Sequence, residues 1–325
     1  MVAASLARDT VAMAGSARGT AFVTGSDGFL GTELIKLLVS RGHRVLALTR
    51  SVEGAETMRR IDAVPVIGDL LTPGQWQDEA AADWVLHLSP PSADRTRIFP
   101  TRGAKRARAH LSLDANLLDA VSAGSTRRIV YVADPRCYGA AGSRPITEDE
   151  PPCPAAAGRW LVPALDRLSG YVLAGMPIIT AIPGCVYGNG SWFRELVIEP
   201  VLTGRRVLQF GTTGPLVSPI HVHDCARALL HLAEHGKTGG RYFVANSVPI
   251  RISEFANTFA RLANRPLRVW RLPAAASRFV VSPAWAEYPQ ADAVLSNIRL
   301  RGIGFRFEHP TVEDGVGQVL RALHE

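Results

Sequence analysis

The sequence predicts an α/β fold, with a doubly wound parallel sheet followed by a smaller C-terminal lobe. From residue 20 onward, short runs rich in β-branched residues alternate with helical patterns. This order is typical of a parallel sheet covered by helices. The chain has 325 residues, more than one domain usually contains, so we expect a second lobe beside the sheet.

Six strands are predicted between residues 20 and 182. Between the first two, Leu30, Leu34, Leu37 and Leu38 recur at helical spacing and Gly42 ends the helix, which makes a βαβ unit. The predicted strands are Thr20 to Thr24, Arg44 to Thr49, Ala63 to Gly68, Asp83 to Ser89, Arg128 to Ala133 and Pro177 to Ile182.

After about residue 185, proline and glycine interrupt the pattern, and mainly helices are predicted. These helices are expected to build the smaller lobe. Their bounds are Trp192 to Leu202, Cys225 to His235, Ile252 to Ala263 and Thr311 to Leu323.

Composition excludes several classes of protein. The hydrophobic fraction is 47%, yet no apolar run is long enough to cross a bilayer, and Arg8 and Asp9 interrupt the N-terminal stretch before a secretory signal can form. The four cysteines include no C-x-x-C pair, which argues against a disulfide framework and against a metal site. We therefore expect a cytoplasmic chain with no membrane partner.

The charge is carried almost wholly by arginine. The net charge is +7, and Lys36, Lys105 and Lys237 are the only lysines. A basic balance suits an anionic ligand, although a basic surface without any ligand is equally common. The densest basic run, residues 95–108, lacks interleaved aromatic residues, so no nucleic-acid partner is expected.

A glycine-rich turn follows the first predicted strand. Its position places backbone N–H groups and a helix amino terminus where they can bind a diphosphate. Because strand, turn, helix and second strand occur in order, we interpret the turn as a dinucleotide-binding site of the Rossmann type. The predicted cofactor-binding residues here are Thr24, Gly25, Asp27, Gly28, Phe29, Leu30 and Gly31.

The end of the second strand bears on the choice of cofactor. Thr49 is followed by Arg50 and Ser51, and no carboxylate stands there to bind the adenosine 2′-hydroxyl of NAD(H). An arginine and a hydroxyl can bind a 2′-phosphate instead, so NADP(H) is the preferred cofactor and NAD(H) the alternative. The alternative interpretation is that Arg50 binds no phosphate and is a solvated charge at a strand end.

Further segments, in the same order along the chain, resemble the extended short-chain dehydrogenase/reductase family, the NAD(P)-dependent epimerase/dehydratase group. The resemblance implies that Asp69 and Leu70 contact the adenine, that Leu88 and Ser89 lie beside the ribose, and that Pro183 flanks the nicotinamide. It also implies a small-molecule substrate and a possible homodimer. The segments are Gly68-Asp69-Leu70, His87-Leu88-Ser89, Cys137-Tyr138-Gly139, Pro183 to Gly188 and Ile220 to Asp224.

The predicted organisation follows from the motifs. Residues 1–19 form a loose N-terminal extension, residues 20–188 the dinucleotide-binding domain and residues 189–325 mainly the substrate lobe. Segments near residues 217–246 are expected to return to the Rossmann core.

The catalytic pair of the family is missing. Its members usually carry a tyrosine four residues before a lysine, yet none of the six tyrosines here has a lysine four residues on. The segment that resembles this region has Ala157 and Leu161 at the two positions. Pro163 follows, which fits a helix only in its first turn. Asp134 stands where the family has a catalytic serine or threonine.

Three residues are candidates for the missing chemistry. Asp134 follows a strand end and becomes a general acid or base if burial raises its pKa, although an Asp-Pro turn explains it equally well. Tyr138 is a candidate for hydrogen bonding to a substrate oxygen. Arg159 is either an anchor for such an oxygen or a solvated arginine at a helix start.

Candidate substrate residues lie further on. Tyr187 stands in a Tyr-Gly step near the expected cleft, and Trp192 begins an aromatic set that lines a pocket for a hydrophobic substrate or simply fills the core. That set is completed by Phe193, Phe279, Val280, Val281, Trp285 and Tyr288. His87 is expected to be structural, His221 and His223 make a poor metal site, and Asp224 is expected to cap a helix.

These observations favour an NADPH-dependent reductase that acts on a hydrophobic carbonyl or quinone-like molecule, with a nonstandard proton donor. Two alternatives stay open. One is a redox-neutral isomerase, cyclase or dehydratase on the same fold. The other is a non-catalytic NADP(H)-binding sensor.

Overall fold

The computed structural model describes residues 19–88, 103–122, 126–139, 141–154, 156–273, 276 and 291–324. Its strands, in chain order, are β1 Thr20–Thr24, β2 Arg44–Thr49, β3 Val64–Ile67, β4 Trp84–His87, β5 Arg128–Val132, β6 Ile178–Pro183, β7 Cys185–Tyr187, β8 Val207–Phe210, β9 Leu216–Val217, β10 Pro219–His221, β11 Arg241–Val244, β12 Ile250–Arg251 and β13 Val269–Leu272.

The α-helices are α1 Phe29–Ser40, α2 Val52–Arg60, α3 Trp76–Glu79, α4 Gly103–Ser122, α5 Val162–Leu173, α6 Ser191–Phe193, α7 Glu199–Leu202, α8 Val222–His235, α9 Ile252–Leu262, α10 Ile298–Gly302 and α11 Val312–Ala322. A π-helical turn, Arg194–Ile198, joins α6 to α7, and 3₁₀ turns lie at Pro135–Tyr138 and Ala156–Leu161. Among the described residues, no helix has both the length and the apolar character that crossing a membrane requires.

Seven strands form one parallel sheet in the order β3-β2-β1-β4-β5-β6-β11. The order reverses between β1 and β4, so the loops that leave these two strands run in opposite directions. In open α/β sheets, ligands bind in the crevice that this reversal opens at the carboxyl edge. The fold therefore places the candidate site beyond Thr24 and His87, the last residues of β1 and β4.

Alternating side chains divide the core between the two faces of the sheet. In β1, Phe22 packs with α4 and α5 on one face, whereas Ala21 and Val23 pack with α1 and α8 on the other. A third core lies in the C-terminal part of the chain, where residues of α9 and α11 pack with the segment that contains α6 and α7. Helices on both faces confirm the predicted doubly wound sheet.

The predicted strands agree closely with the structure. The bounds of β1 and β2 are as predicted, and the other four predicted strands differ from the observed ones by no more than two residues at either end. The prediction did not name β11, which pairs with β6. Pro163 lies in the first turn of α5, where its missing N–H costs no helical hydrogen bond.

The predicted helix from Trp192 to Leu202 is interrupted. A π-helical turn spans Arg194–Ile198, and α7 begins only at Glu199. Pro200 explains the break, because its ring collides with the carbonyl four residues earlier in a regular α-helix.

Candidate functional site

The glycine-rich turn lies directly after β1. Gly25 has a φ of +67°, in the left-handed region that glycine adopts without strain. A Cβ on Gly31 would overlap the Gly25 carbonyl oxygen, so the helix can approach the turn this closely only with glycine at that position. Gly28 is similarly restricted, since a Cβ there would lie 3.1 Å from the same oxygen.

The amino terminus of α1 has the features of an anion-binding helix terminus. Gly28 is its N-cap residue and provides no side-chain cap, and no acidic residue lies in the first turn. The first backbone N–H groups of a helix have no partner within the helix, and the helix dipole adds positive potential there. A diphosphate fits this terminus, with the amide groups of Phe29, Leu30 and Gly31 as donors.

The Phe29 side chain packs against the loop after β7. A Cβ on Gly190 would lie 2.6 Å from the Phe29 ring, and one on Gly188 would lie 2.9 Å from it. Phe29 therefore joins the first helical turn to the loop that leads into α6, while its backbone amide remains at the helix terminus.

The structure brings a carboxylate to the end of β2. Thr49 donates a hydrogen bond of 2.9 Å to Asp27 Oδ2, although Asp27 belongs to the glycine-rich turn. Arg50 is exposed, and the Ser51 hydroxyl caps α2 by accepting a hydrogen bond of 3.0 Å from the amide of Gly54. Asp27, Arg50 and Ser51 therefore all lie near the end of β2.

The loop after β3 is held in place by several hydrogen bonds. The Gly68 amide donates to the Thr49 carbonyl at 3.0 Å, and Asp69 Oδ1 accepts from the Leu71 amide at 2.9 Å. Asn116 on α4 donates to the Leu70 carbonyl at 2.8 Å. This loop lies next to the end of β2, which is where the resemblance expects an adenine ring.

The ends of β1 and β4 are joined by side chains. Thr24 Oγ1 lies 2.8 Å from His87 Nδ1 and accepts a hydrogen bond of 3.2 Å from the Leu88 amide. Ser89, which the sequence predicts beside the ribose, lies outside the described residues. Pro183 ends β6 and is buried opposite Val244 of β11.

Asp134 is paired with Arg136. Arg136 Nε lies 2.9 Å from each carboxylate oxygen, its Nη2 lies 2.5 Å from Oδ2, and its amide donates to Oδ1 at 2.8 Å. Burial tends to raise the pKa of Asp134, but the charge and hydrogen bonds of Arg136 outweigh burial and lower it. The condition under which Asp134 would act as a general acid, a pKa raised by burial, is therefore not met, and the group is an ionised hydrogen-bond acceptor.

The other two catalytic candidates lie in different surroundings. Tyr138 has no exposed surface, its hydroxyl accepts a hydrogen bond of 3.1 Å from Arg241, and its ring packs edge-on against Phe243. Burial raises the pKa of Tyr138, so proton loss is disfavoured. Arg159 is exposed at the end of a 3₁₀ turn, next to Trp160.

The two candidate substrate residues are packed inside the C-terminal core. Tyr187 is 0% exposed and Trp192 is 1% exposed, and the Trp192 indole donates to the Val186 carbonyl at 2.9 Å. A side chain without exposed surface cannot touch a substrate in this conformation. The structure gives no support to substrate contact by either residue. The aromatic and apolar residues at positions 279–288 lie outside the described residues.

His221 ends β10, and His223 lies in the first turn of α8. His221, not Asp224, is the N-cap residue of α8, and its Nδ1 accepts a hydrogen bond from the His223 amide at 3.3 Å. Asp224 instead accepts from the amides of Glu308 and His309, at 2.9 and 2.7 Å. The predicted capping role of Asp224 is therefore wrong, because the helix begins three residues earlier than expected.

A buried polar cluster beside the site was not predicted. It contains Asp114 and His110, which lie one helical turn apart on α4, and Tyr131 on β5. The i, i+4 spacing of a histidine and an aspartate on a helix was the available signal in the sequence. The three residues are at most 6% exposed.

Comparison with known proteins identifies the family. Residues 21–245 match the sequence model of the NAD dependent epimerase/dehydratase family. The 3-diazoavenalumate denitrifying reductase of a Streptomyces species is 28% identical over 323 residues, which cover 91% of this chain and 98% of that protein. The 4-hydroxy-2-methyl-3-oxo-4-farnesyl-3,4-dihydroquinoline-1-oxide ketoreductase of Stigmatella aurantiaca is 26% identical over 270 residues, covering 79% of this chain and 77% of that protein.

Among solved structures, the UDP-glucose 4-epimerase of Thermus thermophilus in complex with NAD superposes with a TM-score of 0.75 at 20% identity. The superposition covers 94% of this chain and 99% of the epimerase and shows a shared fold. The family match spans the whole parallel sheet, from β1 to β11. The chain therefore belongs to the NAD dependent epimerase/dehydratase family, and its reductase relatives support its assignment as an NAD(P)-dependent oxidoreductase of the short-chain dehydrogenase superfamily.

Proposed function

We propose that the chain is an NADPH-dependent reductase of a hydrophobic carbonyl or quinone-like small molecule. The observation that carries the proposal is the uncapped amino terminus of α1, which Gly25 and Gly31 bring to the point where the sheet order reverses. The direction of the chemistry is supported by the relatives, two of which are named as a ketoreductase and a denitrifying reductase. The ketoreductase is named for a farnesyl-substituted dihydroquinoline 1-oxide, which is a hydrophobic molecule.

The proposed preference for NADP(H) depends on two opposing charges. Arg50 is exposed at the end of β2, where a 2′-phosphate would lie, and the Ser51 hydroxyl is next to it. The Asp27 carboxylate, which accepts a hydrogen bond from Thr49, would repel a phosphate bound there. A guanidinium that forms two charge-assisted hydrogen bonds outweighs one carboxylate that is already paired with a hydroxyl.

A bound dihydronicotinamide would supply the hydride, and the chain must orient the substrate and handle a proton. Arg136 keeps Asp134 ionised, so Asp134 accepts a hydrogen bond from the substrate and does not donate a proton. Arg159 is exposed and is suited to donate to a substrate oxygen. In this proposal Asp134 and Arg159 bind and orient the substrate, and Tyr138 supports the site from within the core.

Two measurements test the proposal. Calorimetric titration with NADP⁺, NADPH, NAD⁺ and NADH is expected to show the tightest binding for the two phosphorylated forms. Absorbance at 340 nm is expected to fall when NADPH and a panel of aromatic ketones and quinones are added. Binding of no dinucleotide would contradict the cofactor site, and binding without oxidation of NADPH would contradict the reductase.

The redox-neutral and sensor alternatives rest on one observation, the absence of any tyrosine followed four residues later by lysine. Each gives a distinct result. A redox-neutral enzyme would convert its substrate while the amount of NADPH stays constant. A sensor would bind NADP(H), convert no small molecule, and change its association with another protein.

A further inference from the structure

Five side chains form a hydrogen-bonded chain at the carboxyl edge of the sheet. Thr24 Oγ1 lies 2.8 Å from His87 Nδ1, and His87 Nε2 lies 3.2 Å from Asp114 Oδ1. The Tyr131 hydroxyl lies 3.0 Å from Asp114 Oδ2 and 3.0 Å from His110 Nε2. Thr24 directly precedes the glycine-rich turn, so this hydrogen-bonded network connects the proposed cofactor site to His110.

The donor and the acceptor of each hydrogen bond in this network follow from two groups whose roles are fixed, Thr24 and Asp114. Thr24 Oγ1 already accepts from the Leu88 amide, so its own proton is available for His87 Nδ1. Asp114 as a carboxylate only accepts, so His87 Nε2 and the Tyr131 hydroxyl both donate to it. The Tyr131 oxygen is then free to accept from His110 Nε2. This assignment leaves a lone pair on His110 Nδ1.

His110 Nδ1 is buried and has no hydrogen-bond partner among the residues that the structure describes. Buried polar atoms in native proteins are almost always paired, so an unpaired one implies a ligand, a water molecule or a catalytic role. The His110 ring lies 5.8 Å from that of Trp160, in the 3₁₀ turn Ala156–Leu161. That turn is the segment which, by its resemblance to the family, would carry the missing tyrosine and lysine.

We infer that His110 is the proton-transferring residue of this site, whose buried Nδ1 takes a proton from a substrate hydroxyl through one bound water molecule in oxidation and returns it to the substrate oxygen by the same route in reduction. The inference rests on the proposed reductase function. Reduction of a ketone requires a hydride at carbon, supplied by NADPH, and a proton at oxygen. The Nδ1–H bond of the His110 imidazolium breaks as the O–H bond forms, which leaves an alcohol, NADP⁺ and neutral His110.

Tyr131 and Asp114 act as positioning residues in this scheme. The Tyr131 oxygen holds His110 Nε2–H and so fixes which nitrogen faces the ligand. The Asp114 carboxylate lies 3.7 Å from His110 Nε2 and stabilises the imidazolium when it forms. The arrangement resembles other acid–base dyads, in which a carboxylate orients a histidine without taking its proton.

Burial and nearby charges determine the pKa of His110, and this pKa determines how the rate of the proposed reaction changes with pH. Burial lowers the pKa of His110, Asp114 on the same helix raises it, His87 from β4 lowers it and Asp134 from the end of β5 raises it. The net pKa lies below 6.5. Since reduction uses the imidazolium, its rate should fall as pH rises through this pKa, and the rate of alcohol oxidation should rise over the same range.

The resting state can be tested without substrate, by ¹⁵N NMR of the histidine-labelled chain. The His110 signals are assigned by their loss in His110→Gln. At pH 7.5 we expect a bare Nδ1 and a protonated Nε2, with a titration midpoint below 6.5 that moves when NADP⁺ is added. A protonated Nδ1 at pH 7.5 would overturn the inference.

The catalytic role is tested with NADPH and 9,10-phenanthrenequinone or an aromatic ketone. His110→Gln is expected to lower kcat by about 100-fold or more, the usual contribution of general acid catalysis. It should abolish the pH dependence and leave the Kd for NADPH within about twofold, the scale of an unperturbed site. His43→Gln is the matched control, because His43 is also buried but precedes β2 at the opposite edge of the sheet.

The outcomes separate the two proposals. A wild type that never oxidises NADPH overturns the reductase and this role with it. An active wild type with an equally active His110→Gln variant overturns only the role of His110. If His110→Gln does not fold, Tyr131→Phe provides the test, since it keeps the imidazole and should shift the pH profile; an unchanged profile would overturn the inference.

Discussion

At the scale of single residues, the carboxylate of Asp27 lies closer to the end of β2 than its place in the sequence suggests. It lies 22 positions before Thr49 yet accepts a hydrogen bond from that residue. The direction of a side chain in a tight turn cannot be predicted from residue type, so the sequence appeared to lack a carboxylate near the end of β2. The structure places one there, opposite Arg50.

Substitutions at these two positions should move cofactor preference in opposite directions. Arg50→Ala is expected to weaken NADP⁺ binding by about tenfold, since a hydrogen bond to a charged group contributes about 1.5–3 kcal/mol and part of this is lost to solvent. Asp27→Asn should strengthen NADP⁺ binding because it removes a repulsive charge. Calorimetry with NAD⁺ is the control for both, and an unchanged ratio in Arg50→Ala would contradict the assignment.

The candidate substrate residues show what residue type alone leaves undecided. A Tyr-Gly step near a strand end is compatible with a side chain that points to either side of the strand. Tyr138 and Tyr187 both point into packed cores. The roles of Gly25 and Gly31 were predictable, because the contacts that require glycine are made by the backbone of the same turn.

At the scale of elements, local patterns predicted the strands well and one helix poorly. The strands of a buried parallel sheet are short apolar runs, and their ends are marked by glycine, proline or charge, so β1 and β2 were predicted to the residue. The segment from Ser191 to Leu202 has the apolar spacing of a helix, but Pro200 forces a π-helical turn into it. Apolar spacing alone does not detect that change of pitch.

The close approach between α1 and the glycine-rich turn can be tested with one methyl group. Gly31→Ala should displace the Gly25 carbonyl and weaken dinucleotide binding by about tenfold or more, with about 1–3 kcal/mol lost in stability from overpacking. Gly170→Ala is the matched control, because this exposed helical glycine has no atom near the added Cβ. Equal dinucleotide affinity in Gly31→Ala and the wild type would contradict the predicted binding mode.

A second glycine tests how α11 packs against Tyr187. A Cβ on Gly315 would overlap the Tyr187 hydroxyl, so Gly315→Ala should destabilise the fold by about 1–3 kcal/mol. Gly317→Ala in the same helix meets only the end of the Arg321 side chain and should stabilise it by about 0.5–1 kcal/mol. Adding Tyr187→Phe should partly rescue Gly315→Ala, as measured by urea unfolding, because the hydroxyl is removed but the ring Cζ, 2.8 Å from the added Cβ, remains; a complete lack of rescue would show that another contact is responsible.

At the scale of the whole molecule, ionisable groups tie the first helix to the last third of the chain. Glu33 on α1 lies 2.9 Å from His223 Nδ1, and Glu308 lies 3.3 Å from His223 Nε2. The hydrogen bond to Glu33 raises the pKa of His223, whereas burial lowers the pKa of its neighbour His221 to about 4. The contributions of the two histidines to the free energy of unfolding therefore change with pH in opposite directions.

The pH dependence of stability follows from these directions. His221 is neutral when folded and binds a proton more readily when unfolded, so its contribution is complete above pH 6.5 and is lost as pH falls towards about 4. One such proton costs about 1.4 kcal/mol per pH unit. Because the pKa of His223 is raised in the folded chain, its contribution to stability is complete below about pH 6.5 and is lost as pH rises above that value. His223 therefore adds no slope between pH 6.5 and pH 4.

Urea unfolding between pH 7 and pH 4.5 measures the effect. His221→Asn should reduce the slope of unfolding free energy against pH, and some slope should remain because burial also lowers the pKa of His110. An equal slope in His221→Asn and the wild type would show that His221 is hydrated in the folded chain.

The pairing of β11 with β6 has a consequence for synthesis. Residues 241–244 complete the sheet about 60 residues after β6 has been made. Until the ribosome has released that stretch, the growing chain presents β6 as a bare edge, with unpaired N–H and C=O groups that another nascent chain can bind. A fragment cut after residue 188 retains this edge permanently, so we expect it to aggregate, whereas a fragment that includes α8 and β11 should stay monomeric in light scattering.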